Sequence, residues 1–345
     1  MLLFACVDEA EPDAALELRD DFALEIGSNG TPGFMLADIE VSPGVSVDIF
    51  VNVYGDLDGE CQLAIHGGTF AAASWRPYAE ALGEDGCVLA PDMPLRGNSG
   101  APEGAQFGDF GLYDYVTMVE GVLEGLADRD VEPKTILGHS LGGTVVQMLQ
   151  QRLVDEGSSL EDRYDIDEAI LVASDLPAEV PWALGDSGDL GGLLAAFAVD
   201  DPTHGLLFEI PLSLWPAFFF TNRNGDVAPG SPSTEEIIAA GYNALGEPLQ
   251  AIEQLNGTGG FTARPHAAAG LFTDDTRLRV IAFEHDIYVQ LGESETLYHH
   301  LTGDAGTGCY VPVYGEDTVH TLQFSNPAKL VAAIEAADDC DYPHD

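Results

Sequence analysis

Between residues 34 and 54 two β-rich runs flank the turn residues Ser42-Pro43-Gly44, and in the second Val45, Val47, Ile49, Val51 and Val53 recur with period two. That spacing predicts a β-hairpin with one buried face. The pattern then changes. Short apolar runs at 63–65, 88–90, 135–137, 169–172, 278–283 and 310–314 each end in turn residues, and amphipathic stretches such as 113–126 and 142–154 fall between them. In the latter, Val146, Leu149 and Leu153 share one helical face. Alternation of strand and helix predicts an α/β fold, a mostly parallel sheet covered by helices on both faces. Reactive side chains then belong in the loops at the carboxyl ends of the strands.

From Leu176 to Phe272 the alternation stops, and the stretch is rich in Pro, Gly and apolar residues, including Leu214, Trp215, Phe218, Phe219 and Phe220. A structureless loop of about a hundred residues is improbable within a domain, so an inserted cap or lid is the better account. The expected organisation is an acidic N-terminal segment at 1–31, a first core part at 32–176, the cap at 177–272 and a second core part at 273–345.

Charge narrows the partners. The chain carries 59 Asp and Glu against 12 Lys and Arg, a formal net charge of −47 at pH 7. A surface of that sign excludes nucleic acid as a general partner and opposes anionic lipid and polyanionic substrates. With 46% hydrophobic residues the chain still has the apolar content of a folded protein. It contains no apolar run of about eighteen residues or more, so no membrane span is expected.

The chemistry centres on Gly138-His139-Ser140-Leu141-Gly142, a Gly-x-Ser-x-Gly pattern that follows the apolar run 135–137 and opens a helical stretch. A nucleophile elbow needs that context: the serine sits on a sharp strand-to-helix turn and its close neighbours must lack side chains. The Leu141 N–H, at the start of the helix, is placed to stabilise an oxyanion.

On these residues the chain resembles the α/β-hydrolases, over about residues 34–337. Ile65-His66-Gly67-Gly68-Thr69 stands where that family places its His-Gly oxyanion loop, which implies the Gly68 N–H as a second oxyanion donor. Asp92-Met93-Pro94-Leu95-Arg96-Gly97-Asn98-Ser99 is similar to the family's Asp-x-Pro-Gly-x-Gly-x-Ser turn, with Leu95 in place of a glycine. His66 and His139 read as structural.

A serine hydroxyl needs a base, and the base an orienting carboxylate. His320 follows the last predicted strand. His204 and His266 fall in the cap, His299 and His300 on a predicted helix and His344 at the tail, so His320 is the expected base. Asp286, in Phe283-Glu284-His285-Asp286, matches the family's position for the acid, with Asp175, Glu284 and Asp317 as alternatives. The resemblance implies attack by Ser140 on a carbonyl, an acyl-enzyme, and no metal or other cofactor. The carboxylates around His320 are expected to raise its pKa, and if the acidic surface is their source, added salt should lower the acid limb of the rate profile.

The expected substrate is a neutral apolar ester, cleaved by an esterase or lipase-like enzyme. The same residues on another bond (peptidase, thioesterase, carbon–carbon hydrolase or perhydrolase) and a surface binding module without turnover are the alternatives. The stretch 206–220 either lines an acyl pocket or forms the core of the cap.

Five cysteines remain. Cys61 and Cys87 begin two predicted strands, Cys309 opens the last strand and Cys340 follows the last helix back toward it, so two disulfides in an oxidising compartment are expected, against four buried thiols. Met1-Leu2-Leu3-Phe4-Ala5-Cys6 resembles the Leu-x-Ala-Cys box of bacterial lipoproteins, without its basic region and most of its apolar one. That implies a lipid anchor at Cys6 and an envelope or secreted location; the alternative is an incidental cysteine.

Overall fold

The structure is a computed structural model and describes residues 24–28, 30–83, 86–186, 194–242, 246–258, 261, 263–273, 276–303 and 308–336. Cys6, Cys340 and His344 lie outside the described residues. Twelve strands are described: β1 (Glu25–Ile26), β2 (Pro32–Ser42), β3 (Val45–Gly55), β4 (Cys61–Ile65), β5 (Cys87–Pro91), β6 (Thr135–His139), β7 (Glu168–Val172), β8 (Ala198–Asp201), β9 (Gly205–Phe208), β10 (Glu247–Pro248), β11 (Arg277–Phe283) and β12 (Gly308–Val313). Nine form one sheet in the order β1-β2-β3-β5-β4-β6-β7-β11-β12, antiparallel as far as β5 and parallel from β5 onward. The out-of-order pairing β3-β5-β4-β6 brings the strand ends that carry the motifs together at the middle of the sheet.

Period-two alternation sorts the strand residues to two faces. Leu63, Ile136, Leu171 and Val280 pack on one side with the helices α2 (Leu112–Ala127) and α3 (Leu141–Asp155). Ala64, Leu137, Val172 and Ile281 face the other side, where α1 (Arg76–Leu82) and the helix Pro327–Ala336 lie. The hairpin differs from expectation at one point. β3 does bury Val47, Ile49, Val51 and Val53, but Phe50 and Asn52 on its opposite face are buried as well. Its second half pairs with β5 inside the sheet, so both faces are covered there.

Cys61 and Cys87 face each other in register on β4 and β5 and form a disulfide. Cys309 is half of a further disulfide, and its expected partner Cys340 lies outside the described residues. Within 177–272, β8, β9 and β10 form a separate antiparallel sheet, with short helices at Trp215–Phe219, Thr234–Ala239 and Leu249–Asn256. Trp215, Phe219 and Phe220 pack with Phe70 and Phe324 of the core, which fixes this layer above the carboxyl ends of the strands. Among the described residues no helix is long and apolar enough to cross a membrane.

Candidate active site

Ser140 stands between β6 and α3 with φ 52° and ψ −122°, a backbone conformation that an L-residue adopts only under strain. The turn is this sharp because the neighbouring positions are empty. A Cβ on Gly138 would lie 2.5 Å from the Gly142 carbonyl oxygen, and one on Gly142 would lie 2.4 Å from that of Ile65. The hydroxyl does not cap the helix that it begins, so it is left for other partners.

His320 follows β12 and is buried. Its Nδ1 lies 2.9 Å from Asp286 Oδ2, and Asp286 Oδ1 accepts the N–H groups of Tyr288 at 2.7 Å and Val289 at 3.2 Å. The aspartate is therefore oriented by backbone, and the ring by the aspartate. Tyr288 packs against the ring with centroids 4.6 Å apart. Burial disfavours the imidazolium, but the Asp286 carboxylate bonded to it, with Asp175 adding to the effect, outweighs that and holds the His320 pKa above its ordinary value. The expected direction is met by a different source: two buried neighbouring carboxyls rather than the acidic surface.

Ser140 and His320 line one cavity of about 100 Å³ together with Gly68, Leu141 and Asp175. Among the described residues, neither the Gly68 nor the Leu141 N–H has a protein acceptor, so both donors remain for a ligand oxygen. The remaining wall is mostly apolar, with Leu194, Phe208, Ile210 and Phe218 among its residues, and Asn256 adds a polar group. The stretch 206–220 divides in two: Phe208, Ile210 and Phe218 line the cavity, and Trp215 and Phe220 are packed in the cluster with Phe70 and Phe324.

His66 and His139 are structural in their contacts. His66 Nδ1 meets the Gly67 carbonyl at 2.9 Å and its Nε2 accepts the Met93 N–H at 3.3 Å, and burial pushes its pKa down to about 4. His139 Nε2 holds the His320 carbonyl at 2.8 Å, and burial likewise drives its pKa well down. Leu95 adopts φ 58°, the left-handed conformation for which the family's turn uses glycine. Glu284 is spent on the Gly315 N–H at 2.9 Å, and Asp317 on Asn326 and Lys329. Asp175 does not contact the His320 ring by hydrogen bond; it faces the cavity instead.

One part of the site is not foreseen by the motifs. Glu247, contributed by β10 of the cap, is wholly buried and pairs with Arg96 at 2.8 Å. Its other bonds are to the Tyr115 hydroxyl at 2.7 Å and the Thr69 N–H at 2.9 Å, adjacent to Gly68. Burial opposes its ionisation, but Arg96 and these donors lower its pKa on balance. Thr69 itself has φ 66°. The cap thereby clamps the loop that presents the Gly68 N–H. The only trace in the sequence is an arginine within the Asp92–Ser99 turn, in a chain with few basic residues.

A sheet with its reactive loops at one edge, a strained serine at a strand-to-helix turn, and a buried His–Asp pair on the same cavity define a recognisable architecture. The profile of the alpha/beta hydrolase family matches residues 63–334, most of the chain. The chain belongs to the alpha/beta hydrolase family. Solved structures of the same fold include a putative lipase from Acinetobacter baumannii AYE, with TM-score 0.60 at 15% identity, covering 89% of this chain and 91% of that one. An esterase from Thermogutta terrifontis gives 0.59 at 16%, covering 88% and 97%. A bromoperoxidase from Bacillus anthracis gives 0.59 at 14%, covering 89% and 99%. At these identities the alpha/beta hydrolase likeness is one of fold. No curated protein matches in sequence.

Proposed function

We propose that this alpha/beta hydrolase is a serine esterase that cleaves short, apolar carboxylic esters through Ser140, His320 and Asp286. The observation that carries the reading is the Asp286–His320 hydrogen bond at 2.9 Å on a cavity that also exposes the strained Ser140. Ser140 Oγ attacks the carbonyl carbon while His320 Nε2 takes its proton. Asp286 holds the ring in the tautomer with Nδ1 protonated and stabilises the imidazolium that forms. The tetrahedral oxyanion accepts from the Gly68 and Leu141 N–H groups. His320 then protonates the departing alcohol, and water, activated by the same ring, releases the acid from the acyl-enzyme.

The small apolar cavity favours acyl groups of a few carbons. Hydrolysis of p-nitrophenyl esters of increasing chain length tests this: kcat/KM should peak at acetate to butyrate and fall steeply by dodecanoate, and Ser140→Ala should abolish it. A peak at long chains would contradict the short-ester reading. Cleavage of aminoacyl amides in preference to all esters would move the assignment to peptidase.

The Cys61–Cys87 disulfide supports an oxidising, extracytoplasmic location. We place the protein in a bacterial envelope or outside the cell, with a lipid on Cys6 as the anchor; mass spectrometry of the native N-terminal peptide tests the lipid.

A further inference from the structure

The buried carboxyls of the site are all satisfied but one. Asp92 accepts the N–H groups of Ala72 and Asn98 and the Asn52 amide, Glu247 has Arg96, Tyr115 and Thr69, and Asp286 has His320 and two backbone donors. Asp175, 6% exposed at the end of β7, differs. Its backbone carbonyl is used by Gln147 at 3.1 Å and Ser174 at 3.3 Å, but among the described residues its carboxyl receives no hydrogen bond. His320, on the same cavity, and then Arg264 favour its charge through space, Asp286 opposes it, and Arg264 gives one guanidinium nitrogen to the Val180 carbonyl at 2.7 Å.

That carboxyl borders the cavity that holds Ser140, where Leu184, Leu194 and Phe218 offer it nothing polar. No Lys or Arg is among the described residues that line this space. Asn256, also on the wall, commits its amide nitrogen to the Ile252 carbonyl at 2.8 Å and keeps an oxygen for a ligand. Burial pushes the Asp175 carboxyl up to about 6, which leaves it ionised in neutral solution. An anion on a cavity wall that receives no hydrogen bond from the protein calls for a donor from outside the chain.

Resting on the esterase reading, we propose that Asp175 is the anchor for an ammonium group, so that the substrate is a short ester carrying a primary amine on an otherwise apolar body. An ammonium brings three donors to two acceptors, in charge-assisted geometry. The formal charge of −47 draws such cations toward the molecule, whereas anionic esters are repelled.

The test is binding of butylammonium against 1-butanol to the full chain in 1 M KCl, where surface attraction is screened, read by the fluorescence of Trp182 in the cavity wall. The expected result is at least tenfold tighter binding of butylammonium, collapsing to under twofold in Asp175→Asn. Equal binding by the unaltered protein overturns the proposal and leaves a bound water as the donor; a preference that persists in Asp175→Asn also overturns it. Circular dichroism checks the variant, and if it does not fold the comparison on the unaltered protein decides. Binding needs no turnover, so its outcome is separate from that of the esterase assays.

Discussion

At the scale of single residues, the site is a set of buried polar groups whose partners decide their roles. Asp286 is held by two backbone N–H groups and bonded to His320, so Asp286→Asn should keep the fold and reverse the ring's tautomer. A fall in kcat of about 10⁴-fold is expected, with KM little changed; a loss under tenfold would show that another carboxyl orients the base. Asp175 is the opposite case, a carboxyl that the fold would rather keep protonated. Its pKa is raised from 3.8 to about 6, so the folded state binds the extra proton and stability falls as pH rises through that interval. Asp175→Asn should therefore gain as much as about 3 kcal/mol at pH 8 and nothing below pH ~4. Urea titrations at the two pH values check it, and a loss at pH 8 would contradict the assigned burial cost. Ser140 and His320 were legible in the sequence because a strained turn and a post-strand histidine leave local marks. Asp175 was legible only as a rival acid, because nothing in the neighbouring residues tells which way its carboxyl turns.

At the scale of elements, the parallel strands follow from short apolar runs, since they are buried on both faces, and α2 and α3 from the amphipathic stretches between them, although α3 is buried on nearly all sides along its first ten residues. The Cys61–Cys87 pairing was readable for the same reason: both residues open strands that proved to be neighbours. The separate sheet and short helices within 177–272 are marked in the sequence only by a break in alternation. These short strands and helices, such as β10 with two residues, carry too few turns to show a period. The Glu247–Arg96 pair therefore leaves no pattern in the sequence, although Glu247 also ties β10 to Thr69, beside Gly68, across the interior. Truncating one member leaves the other charge buried and alone. Glu247→Ala should cost about 3–5 kcal/mol of stability and lower kcat more than it raises KM; thermal unfolding with a kcat–KM comparison checks both, and a change under 1 kcal/mol would mean the clamp is slack.

At the scale of the whole molecule, two electrostatic effects separate by depth. The acidic surface repels itself, and the Debye length shrinks from about 10 Å at 0.1 M salt to about 3 Å at 1 M. Thermal stability should rise on adding KCl over that range, and a flat response would remove self-repulsion from the account. His320 is instead governed by buried neighbours that salt screens poorly. The rate should fall as pH drops below the raised His320 pKa, because the base is then protonated. That acid limb should stay nearly fixed between 0.1 and 1 M KCl but shift to lower pH in Asp175→Asn, which removes one of the groups that raise it. A limb that follows salt would return the effect to the surface.

The central claim is that Ser140 is the activated nucleophile, and covalent labelling tests it most directly. Incubation with a fluorophosphonate, followed by peptide mass spectrometry, should place the adduct on Ser140 in the unaltered protein and give none in Ser140→Ala or His320→Ala that retain their fold. An adduct on another serine, or undiminished labelling in Ser140→Ala, would contradict it.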